Sequence, residues 1–357
     1  MSCLMVMAGG TGGHVFPALA VADRLSQQGV KIVWLGTEKG IESRVVPKAG
    51  YETHWISVQG LRGNGLQRWV LAPFTLLRAI YQSLSIIRKV KPACVLGMGG
   101  FASGPGGIAA SLLGKPLIVH EQNAVAGLTN KWLAKIAKTV LTGFRGTKGL
   151  PESAIWVGNP VRAEIAVNDL SVVPSNSKRI LVLGGSQGAN SLNLKLPEIL
   201  SKLSMKQSLE IWHQAGRTKL EAVDELYANS SANDLKYKVD EFIDDIAVAY
   251  TWADIIICRS GAMTVTEIMA VGKPAVFVPY PYAAGDHQTL NAQSMVDEGA
   301  AILINDAEIE NASFKKELAV LIRDKDRLIK MGKNAKQLFR AKATEQTAEI
   351  CMEWLSA

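Results

Sequence analysis

The sequence has few cysteines and no cluster of metal ligands. Its 357 residues include four cysteines (Cys3, Cys94, Cys258 and Cys351), without a CxxC pair or a Cys/His spacing typical of zinc. Three of them lie in apolar segments, which predicts buried, reduced thiols rather than disulfides. Residues 324–326 spell the metal motif DxD, but the surrounding run IRDKDRLIKMGK is typical of a solvated helix face. We therefore expect no metal site.

Long apolar runs are also missing. None reaches the ~18 residues that a transmembrane helix needs, and the chain enters its first predicted strand without a leader-like segment. We therefore expect a cytoplasmic protein that does not span the membrane. The net charge of +7 suits an anionic partner such as nucleic acid, an anionic membrane or a phosphorylated substrate. Without an RNA-binding motif, a zinc finger or a basic–aromatic stripe, we expect no nucleic-acid partner.

Several nucleotide-binding and catalytic motifs are absent as well. GxxxxGK[ST] does not occur, and the last glycine of a GxGxxG fingerprint falls at Val15. A nicotinamide-dependent oxidoreductase is therefore weakly supported, although Glu38 after the second predicted strand fits its acidic position. No GxSxG elbow indicates acyl transfer. The chemistry that these exclusions leave open for the glycine-rich turns is general binding of a phosphate or a diphosphate.

Two strand–glycine–helix openings are the main positive signal. They cover residues 4–14 (LMVMAGGTGGH) and residues 180–189 (ILVLGGSQGA), each followed by a predicted helix. The free N–H groups and the dipole of a helix N-terminus can hold a phosphate or a developing anion. One such opening is equally typical of an ordinary tight turn. Two, each at the start of an α/β half, predict a ligand-binding protein with two nucleotide-fold domains.

Strand and helix patterns alternate throughout both halves. The predicted strands are residues 4–7, 31–35, 52–57, 93–97, 116–120, 139–141, 179–183, 209–214, 237–241, 255–258, 275–278 and 301–304. This alternation predicts α/β architecture with two doubly wound parallel sheets. Ligands bind at the carboxyl ends of such strands, so we expect the two domains to face each other across a cleft.

The segment VGNPVR and the polar stretch 168–178 give the best domain boundary, because Gly and Asn-Pro interrupt regular structure there. We expect an N-terminal domain over residues 1–160 and a C-terminal domain over residues 161–340. Residues 341–357 are expected to form a helix that packs back near the N-terminal domain.

Three side chains near these loops carry candidate chemistry. His14 is the imidazole beside the first glycine turn, where it can act as a general base or can only cap the helix and pack against its neighbours. Ser186 offers a hydroxyl at the second turn, beside the amides of residues 187–189. Glu267 follows the predicted strand IIIC, where its carboxylate can either accept hydrogen bonds from a ribose diol or complement the dipole of the helix. Residues 97–107, with six glycines, allow close approach of a ligand to the backbone.

A long amphipathic segment covers residues 67–88. It carries Trp69, Phe74 and Tyr81, with arginines around them. Such a segment is either a well-buried helix with one solvated face or a helix that inserts partly into an anionic bilayer.

Together these motifs resemble a known family. AGGTGGHVFPALA, GLRGNG, GMGGFASGPGG, HEQNAVAGLTNKWLAK, VGNPVR, LGGSQGA, FIDDIAVAY, CRSGAMTVTEI and DHQTLNA occur in this order between residues 4 and 300. They are similar to those of the bacterial N-acetylglucosaminyltransferases that form lipid II, in glycosyltransferase family 28. The resemblance implies the GT-B fold, with two Rossmann-like domains, and no cofactor or obligatory metal.

The resemblance also implies substrates and site residues. The donor is UDP-N-acetylglucosamine, held mainly by the C-terminal domain, and the acceptor is undecaprenyl-diphospho-N-acetylmuramoyl-pentapeptide (lipid I). The muramoyl 4-hydroxyl attacks the anomeric carbon with inversion, and His14 is the plausible base. The matching substrate-binding positions are Thr11, Gly12, Gly13, Asn123, Arg162, Ser186, Ile243, Ala262, Met263, Thr264, Val265, Thr266, Glu267 and Gln288. The backbone of Ile243 is expected to recognise uracil, and Glu267 is expected to bind the ribose. Ser186 is expected to bind the diphosphate, and Asn123 and Gln288 are expected to bind the sugar. The role of His287 stays open.

The implied setting is peptidoglycan synthesis, and with it cell shape and division. We expect a peripheral protein on the cytoplasmic face of the inner membrane, in contact with the anionic membrane surface and with cell-wall synthesis and division proteins. Two other functions remain open: a non-catalytic nucleotide-sugar-binding protein, and another GT-B transferase with a lipid acceptor such as diacylglycerol.

Overall fold

The computed structural model describes residues 2–58, 66–166, 177–230 and 235–356, with only the backbone over residues 66–71. The GLRGNG motif, the Trp69 side chain and residues 168–176 of the predicted linker lie outside the described residues. The chain divides into two compact units. The first consists of Met1–Ala163 and Arg340–Ala357, and the second of Glu164–Phe339.

The first unit contains a seven-stranded parallel sheet of order β3-β2-β1-β4-β5-β6-β7. Its strands are β1 (Cys3–Ala8), β2 (Lys31–Gly36), β3 (Glu52–Trp55), β4 (Cys94–Gly99), β5 (Leu117–Glu121), β6 (Thr139–Thr142) and β7 (Ile155–Trp156). Its helices are α1 (Gly12–Gln27), α2 (Glu42–Lys48), α3 (Leu66–Val90), α4 (Ser103–Leu112) and α5 (Leu128–Leu133). The short helix α6 (Ala163–Ala166) follows.

Helices cover both faces of this sheet, because strands buried on both sides need two apolar partners. On one face, α1 and the last helix of the chain, α14 (Ala343–Ser356), share a core cluster with β1, β2 and β4. Cys351 and Leu355 of α14 belong to that cluster. On the other face the cluster includes buried residues of α3, α4 and α5.

The second unit contains a six-stranded parallel sheet of order β10-β9-β8-β11-β12-β13. Its strands are β8 (Lys178–Leu183), β9 (Leu209–Gln214), β10 (Lys236–Asp240), β11 (Ile255–Cys258), β12 (Ala275–Phe277) and β13 (Ala301–Leu303). Its further helices are α7 (Asn190–Ser204), α8 (Leu220–Ala228), α9 (Ile246–Trp252), α10 (Ala262–Val271), α11 (His287–Val296), α12 (Ala312–Arg323) and α13 (Lys325–Leu338). Single 3-10 turns cover Ala284–Asp286 and Asp306–Glu308.

The predicted α/β class and the two doubly wound parallel sheets are confirmed. Each of the twelve predicted strands has an observed counterpart, and strand order reverses between β1 and β4 and between β8 and β11. Strand β7 was not predicted, since two residues carry no pattern. The prediction of buried thiols is confirmed for Cys94, Cys258 and Cys351, and burial raises the pKa of Cys94 to about 12.

Two glycine segments touch at the reversal point of the first sheet. Gly100 follows β4 in a left-handed conformation (φ +86°), and a Cβ there would overlap the backbone of Gly9 after β1. Glycine is required at this position for its conformation and for the close approach.

We expect Gly100→Ala to lower the free energy of unfolding by about 2–5 kcal/mol, through backbone strain and steric overlap together. Gly114→Ala is the matched control, because Gly114 also has a positive φ (+65°) but open space around its Cβ position. We expect about 1–2 kcal/mol for it. Urea unfolding of both variants checks this, and equal losses would contradict the close approach.

Candidate functional site

A buried carboxylate holds the first glycine turn. Glu42 Oε2 accepts a hydrogen bond from Gly10 N (2.9 Å), and its Oε1 accepts from Thr37 N (3.0 Å) and Thr37 Oγ1 (2.7 Å). Thr11 then has extended backbone (φ −131°, ψ 159°) as the residue before α1. The Glu42 carboxylate thus fixes the turn through Gly10, and the first N–H groups of α1 are those of Gly12 and Gly13.

His14 lies in the first turn of α1, against the glycine run after β4. A Cβ at Gly99 would stand 2.8 Å from His14 Nδ1, so the ring packs directly on the Gly99 backbone. His14 Nδ1 is 2.9 Å from Gln122 Oε1. The imidazole is therefore held by a backbone surface and one hydrogen bond.

Glu121, the last residue of β5, holds the polar segment that follows this strand through hydrogen bonds. Glu121 accepts from Asn123 N and Nδ2 (both 2.9 Å), from Gly127 N (3.0 Å) and from Asn130 Nδ2 (2.9 Å). This carboxylate fixes the position of Asn123, while the adjacent Gln122 contacts His14.

Arg162 completes the predicted set in the first unit. Its guanidinium lies 4.9 Å from the ring centroid of Phe16, two residues beyond His14 on α1. The first unit therefore brings Thr11, Gly12, Gly13, His14 and Arg162 to one end of α1. Asn123 follows β5, a strand that ends at the same edge of the sheet.

In the second unit the predicted residues follow four parallel strands at their carboxyl ends. Ser186 follows β8, Ile243 follows β10, the helix α10 follows β11, and Gln288 follows β12. Because the carboxyl ends of parallel strands share one edge, these residues lie along one side of the sheet. The reversal point between β8 and β11 places the Ser186 turn beside the start of α10.

The N-terminal half of α10 carries most of these residues. Gly261 precedes the helix with extended backbone (φ −62°, ψ 144°), and the helix begins with Ala262, Met263 and Thr264, followed by Val265 and Thr266. Thr266 Oγ1 donates to Ala262 O (2.9 Å) within the helix. The N–H groups of the first turn provide donors for an anion.

Two side chains that the sequence analysis did not single out hold predicted site residues. Tyr250 Oη donates to Glu267 Oε2 (2.9 Å), and both groups are buried. Gln214 Oε1 accepts from Ile243 N (3.1 Å), so the Ile243 N–H already has a partner. Both supporting residues are far from their partners in sequence, as are Glu42 and Gln122 in the first unit, so no local spacing joins each of them to the residue that it holds.

The segment before α11 has unusual backbone. Gly285 and Asp286 both have a positive φ (64° and 52°). Gln288 Oε1 accepts from Tyr280 N (2.8 Å), and the half-buried His287 donates through Nδ1 to Ala284 O (2.9 Å). His287 thus stabilises the turn, and Gln288 joins it to the segment after β12.

No metal-binding group emerges from the described residues. They contain no cluster of three or more His, Cys, Asp or Glu side chains arranged for a metal ion. Asp324 of the DxD sequence instead caps α13, accepting from Arg327 N (2.9 Å).

Comparison with known proteins identifies the family. The model of the glycosyltransferase family 28 N-terminal domain matches residues 4–142, and that of the family 28 C-terminal domain matches residues 179–347. The chain belongs to glycosyltransferase family 28. The first match spans β1 to β6, and the second spans β8 to β13 and extends into the start of α14.

Individual relatives match along nearly the whole chain. The UDP-N-acetylglucosamine–N-acetylmuramyl-(pentapeptide) pyrophosphoryl-undecaprenol N-acetylglucosamine transferases of Shewanella amazonensis and Shewanella pealeana are 47% and 48% identical to it. These alignments cover 98% of this chain and 97% and 96% of the relatives. The crystal structure of Acinetobacter baumannii MurG is 40% identical, with a TM-score of 0.84 over 99% of this chain and 100% of that chain. The expected GT-B glycosyltransferase assignment is thereby confirmed.

Two buried histidines predict how stability depends on pH. Burial lowers the pKa of His120 to about 4 and that of His213 to about 3. An unfolded histidine titrates near pH ~6.5, so below that pH the unfolded chain binds protons that the folded chain does not. The free energy of unfolding should therefore fall as pH drops from about 6.5 toward 4, by up to about 1.4 kcal/mol per pH unit for each histidine.

Urea midpoints at pH 7, 6 and 5 measure this dependence. His213→Gln should make it less steep, whereas His287→Gln should not, because His287 is only half-buried. An equally steep dependence in His213→Gln would contradict the assignment of His213 as a buried neutral group.

Proposed function

We propose that this chain transfers N-acetylglucosamine from UDP-N-acetylglucosamine to the 4-hydroxyl of the muramoyl sugar of lipid I, giving lipid II and UDP. The observation that carries the proposal is the 47–48% identity to transferases with this named activity, across both domains. The two glycine turns, each at a sheet reversal point, supply the anion-binding elements that a nucleotide sugar requires.

In the proposed reaction, His14 accepts the proton of the acceptor hydroxyl as its oxygen bonds to the anomeric carbon. The bond from that carbon to the diphosphate oxygen breaks, and its electron pair leaves with UDP. A single displacement of this kind inverts an α-linked donor to a β-1,4 product. A positioned base typically contributes about 10²–10⁴ in rate.

The donor is held chiefly by the second unit. The Ser186 turn and the first turn of α10 provide N–H donors and the positive ends of two helix dipoles for the diphosphate. Ile243 contacts uracil through its backbone carbonyl, because its N–H is engaged by Gln214. Glu267 accepts from the ribose hydroxyls, while Asn123 and Gln288 contact the sugar. In the first unit, the N–H groups of Gly12 and Gly13 at the start of α1 and the guanidinium of Arg162 are donors for a phosphate, beside Thr11.

UDP release with defined acceptors tests the function. We expect turnover with UDP-N-acetylglucosamine and a lipid I analogue, and none with diacylglycerol. Turnover only with diacylglycerol indicates a different lipid-accepting transferase. UDP-sugar binding without turnover on either acceptor indicates a binding protein.

Glu267→Ala should raise the donor KM by about 10–100-fold, because a hydrogen bond to a charged acceptor contributes about 1.5–3 kcal/mol. The variant also removes the partner of the buried Tyr250 hydroxyl, so a melting curve must accompany the kinetics. Glu349→Ala, at an exposed position of α14, is the control for removing a helical carboxylate. An unchanged donor KM in folded Glu267→Ala would refute the ribose assignment.

The outer side of α3 supports attachment to a membrane surface. Phe74, Leu77 and Tyr81 are 70%, 64% and 71% exposed, while Ala79 and Ile87 of the same helix are buried. Leu128 and Trp132 of α5 are exposed as well. These helices cover the same face of the sheet. The exposed cations nearby are Arg78 and Arg88 of α3, Lys131 of α5, and Lys135 and Lys138, which follow α5 in the chain.

Exposed apolar side chains among cations combine hydrophobic and electrostatic attraction to anionic lipids. Among the helices of the described residues, none has the length and apolar character needed to cross a bilayer. We therefore propose peripheral attachment to the cytoplasmic face of the inner membrane, through the α3–α5 surface.

Replacing Phe74 and Leu77 with Ser should weaken binding to vesicles that contain anionic lipids by at least about 10-fold, since about 1.5–3 kcal/mol accompanies burial of each such side chain. Folding should be preserved, because both residues are exposed. The control replaces Val320 and Ile329, exposed on α12 and α13, with Ser. Flotation that is equal for both double variants would contradict this surface.

A further inference from the structure

A hydrogen-bonded chain of three side chains leads from the backbone of Gly158 to His14. Its first member is His120, which is fully buried and lies 2.9 Å from Gly158 O through Nε2. A carbonyl oxygen only accepts, so His120 Nε2 carries a proton. Burial lowers the pKa of His120 to about 4, so the ring is neutral at pH 7 and its Nδ1 is an acceptor.

The second member is Gln122, which is also buried. Its Nε2 lies 3.2 Å from His120 Nδ1 and 3.1 Å from the His120 carbonyl oxygen. Both of these partners are acceptors, so the amide nitrogen must face them. This fixes the orientation of the amide and turns Oε1 toward His14.

The third member is His14, whose Nδ1 lies 2.9 Å from Gln122 Oε1. An amide oxygen only accepts, so His14 Nδ1 must donate. In the neutral ring the lone pair is then on Nε2. The Gly99 backbone, packed against the Nδ1 side of the ring, restricts its rotation.

We infer that Gln122, oriented by His120, is a positioning residue that fixes His14 in the tautomer with its proton on Nδ1 and its basic lone pair on Nε2. The hydrogen bond made by one ring nitrogen determines which nitrogen is protonated. A neutral amide acceptor can hold the ring both before and after Nε2 takes a proton, because Nδ1–H is present in both states. The kinetic consequence rests on the proposed function, in which His14 is the base.

Long-range nitrogen–proton NMR of histidine-labelled protein tests the tautomer directly. The chain has five histidines, and the His14 signals are assigned by their loss in His14→Ala. At a pH where the ring is neutral, we expect Nδ1 to be protonated and Nε2 unprotonated. A neutral His14 with its proton on Nε2 would overturn the inference, whatever the activity of the enzyme.

Two substitutions of Gln122 separate positioning from mere packing. Gln122→Met removes the acceptor at similar volume, and should give a mixture of His14 tautomers and lower kcat by about 10-fold or more, with little change in either KM. Gln122→Glu retains an acceptor for Nδ1 and should therefore retain the wild-type tautomer. Its second oxygen replaces the donor to His120, so only the tautomer, and not kcat, is compared for this variant. Gln207→Met is the matched control, because that amide accepts a hydrogen bond from Arg323 Nε (3.3 Å) in the second unit.

The outcomes distinguish this inference from the proposed function. If wild-type protein does not release UDP, the proposed function fails, and the NMR spectra alone decide the tautomer. If Gln122→Met retains both the wild-type tautomer and the wild-type kcat, the positioning role is wrong while the transferase activity stands. If Gln122→Met does not fold, the tautomer of Gln122→Glu decides, and loss of the Nδ1-protonated form there would overturn the inference.

Discussion

The reversal of strand order in each parallel sheet is the constraint on which the candidate site depends. Crossovers leave β1 and β4 in opposite directions across their sheet, and β8 and β11 do the same in theirs, which opens a gap at the carboxyl edge. Both glycine turns begin at these gaps. In the first unit the gap is narrow enough that Gly100 contacts the Gly9 backbone, and this contact brings Gly99 against His14. The position of the imidazole therefore follows from topology before any polar contact is considered.

Buried polar side chains then fix what the topology has brought together. Glu42 is the first residue of α2 and Glu121 the last residue of β5. Each carboxylate accepts several hydrogen bonds from the backbone or side chains of the loops that it supports. In the second unit Asn193, His213 and Tyr227 form a buried chain beneath the Ser186 turn, with Asn193 Nδ2 donating to Ala215 O at 2.7 Å. Polar groups removed from water are tolerated only when they are paired. Because these buried polar groups are paired, each loop that they support is held in one conformation.

Much of this fold could be predicted from the sequence, because buried parallel strands appear as short apolar runs and glycine turns follow them directly. The supporting residues could not. Glu42 and Gly10 are 32 residues apart, and Gln122 and His14 are 108 apart, so no local spacing joins them. The exposure of α3 was equally undecidable, since one amphipathic pattern fits both a buried helix and an interfacial one. Phe74 and Tyr81 resolve it only through their exposure in the folded chain.

The pH–rate profile of His14→Ala, with UDP affinity measured calorimetrically on the same variant, tests whether His14 is the general base. We expect kcat to fall by about 10²–10⁴, the acidic limb of the kcat profile to disappear, and UDP affinity to stay near that of the wild-type protein. Weakened UDP binding with the acidic limb retained would instead make His14 a diphosphate ligand. Wild-type turnover in the variant would contradict both roles and leave His14 as a packing residue.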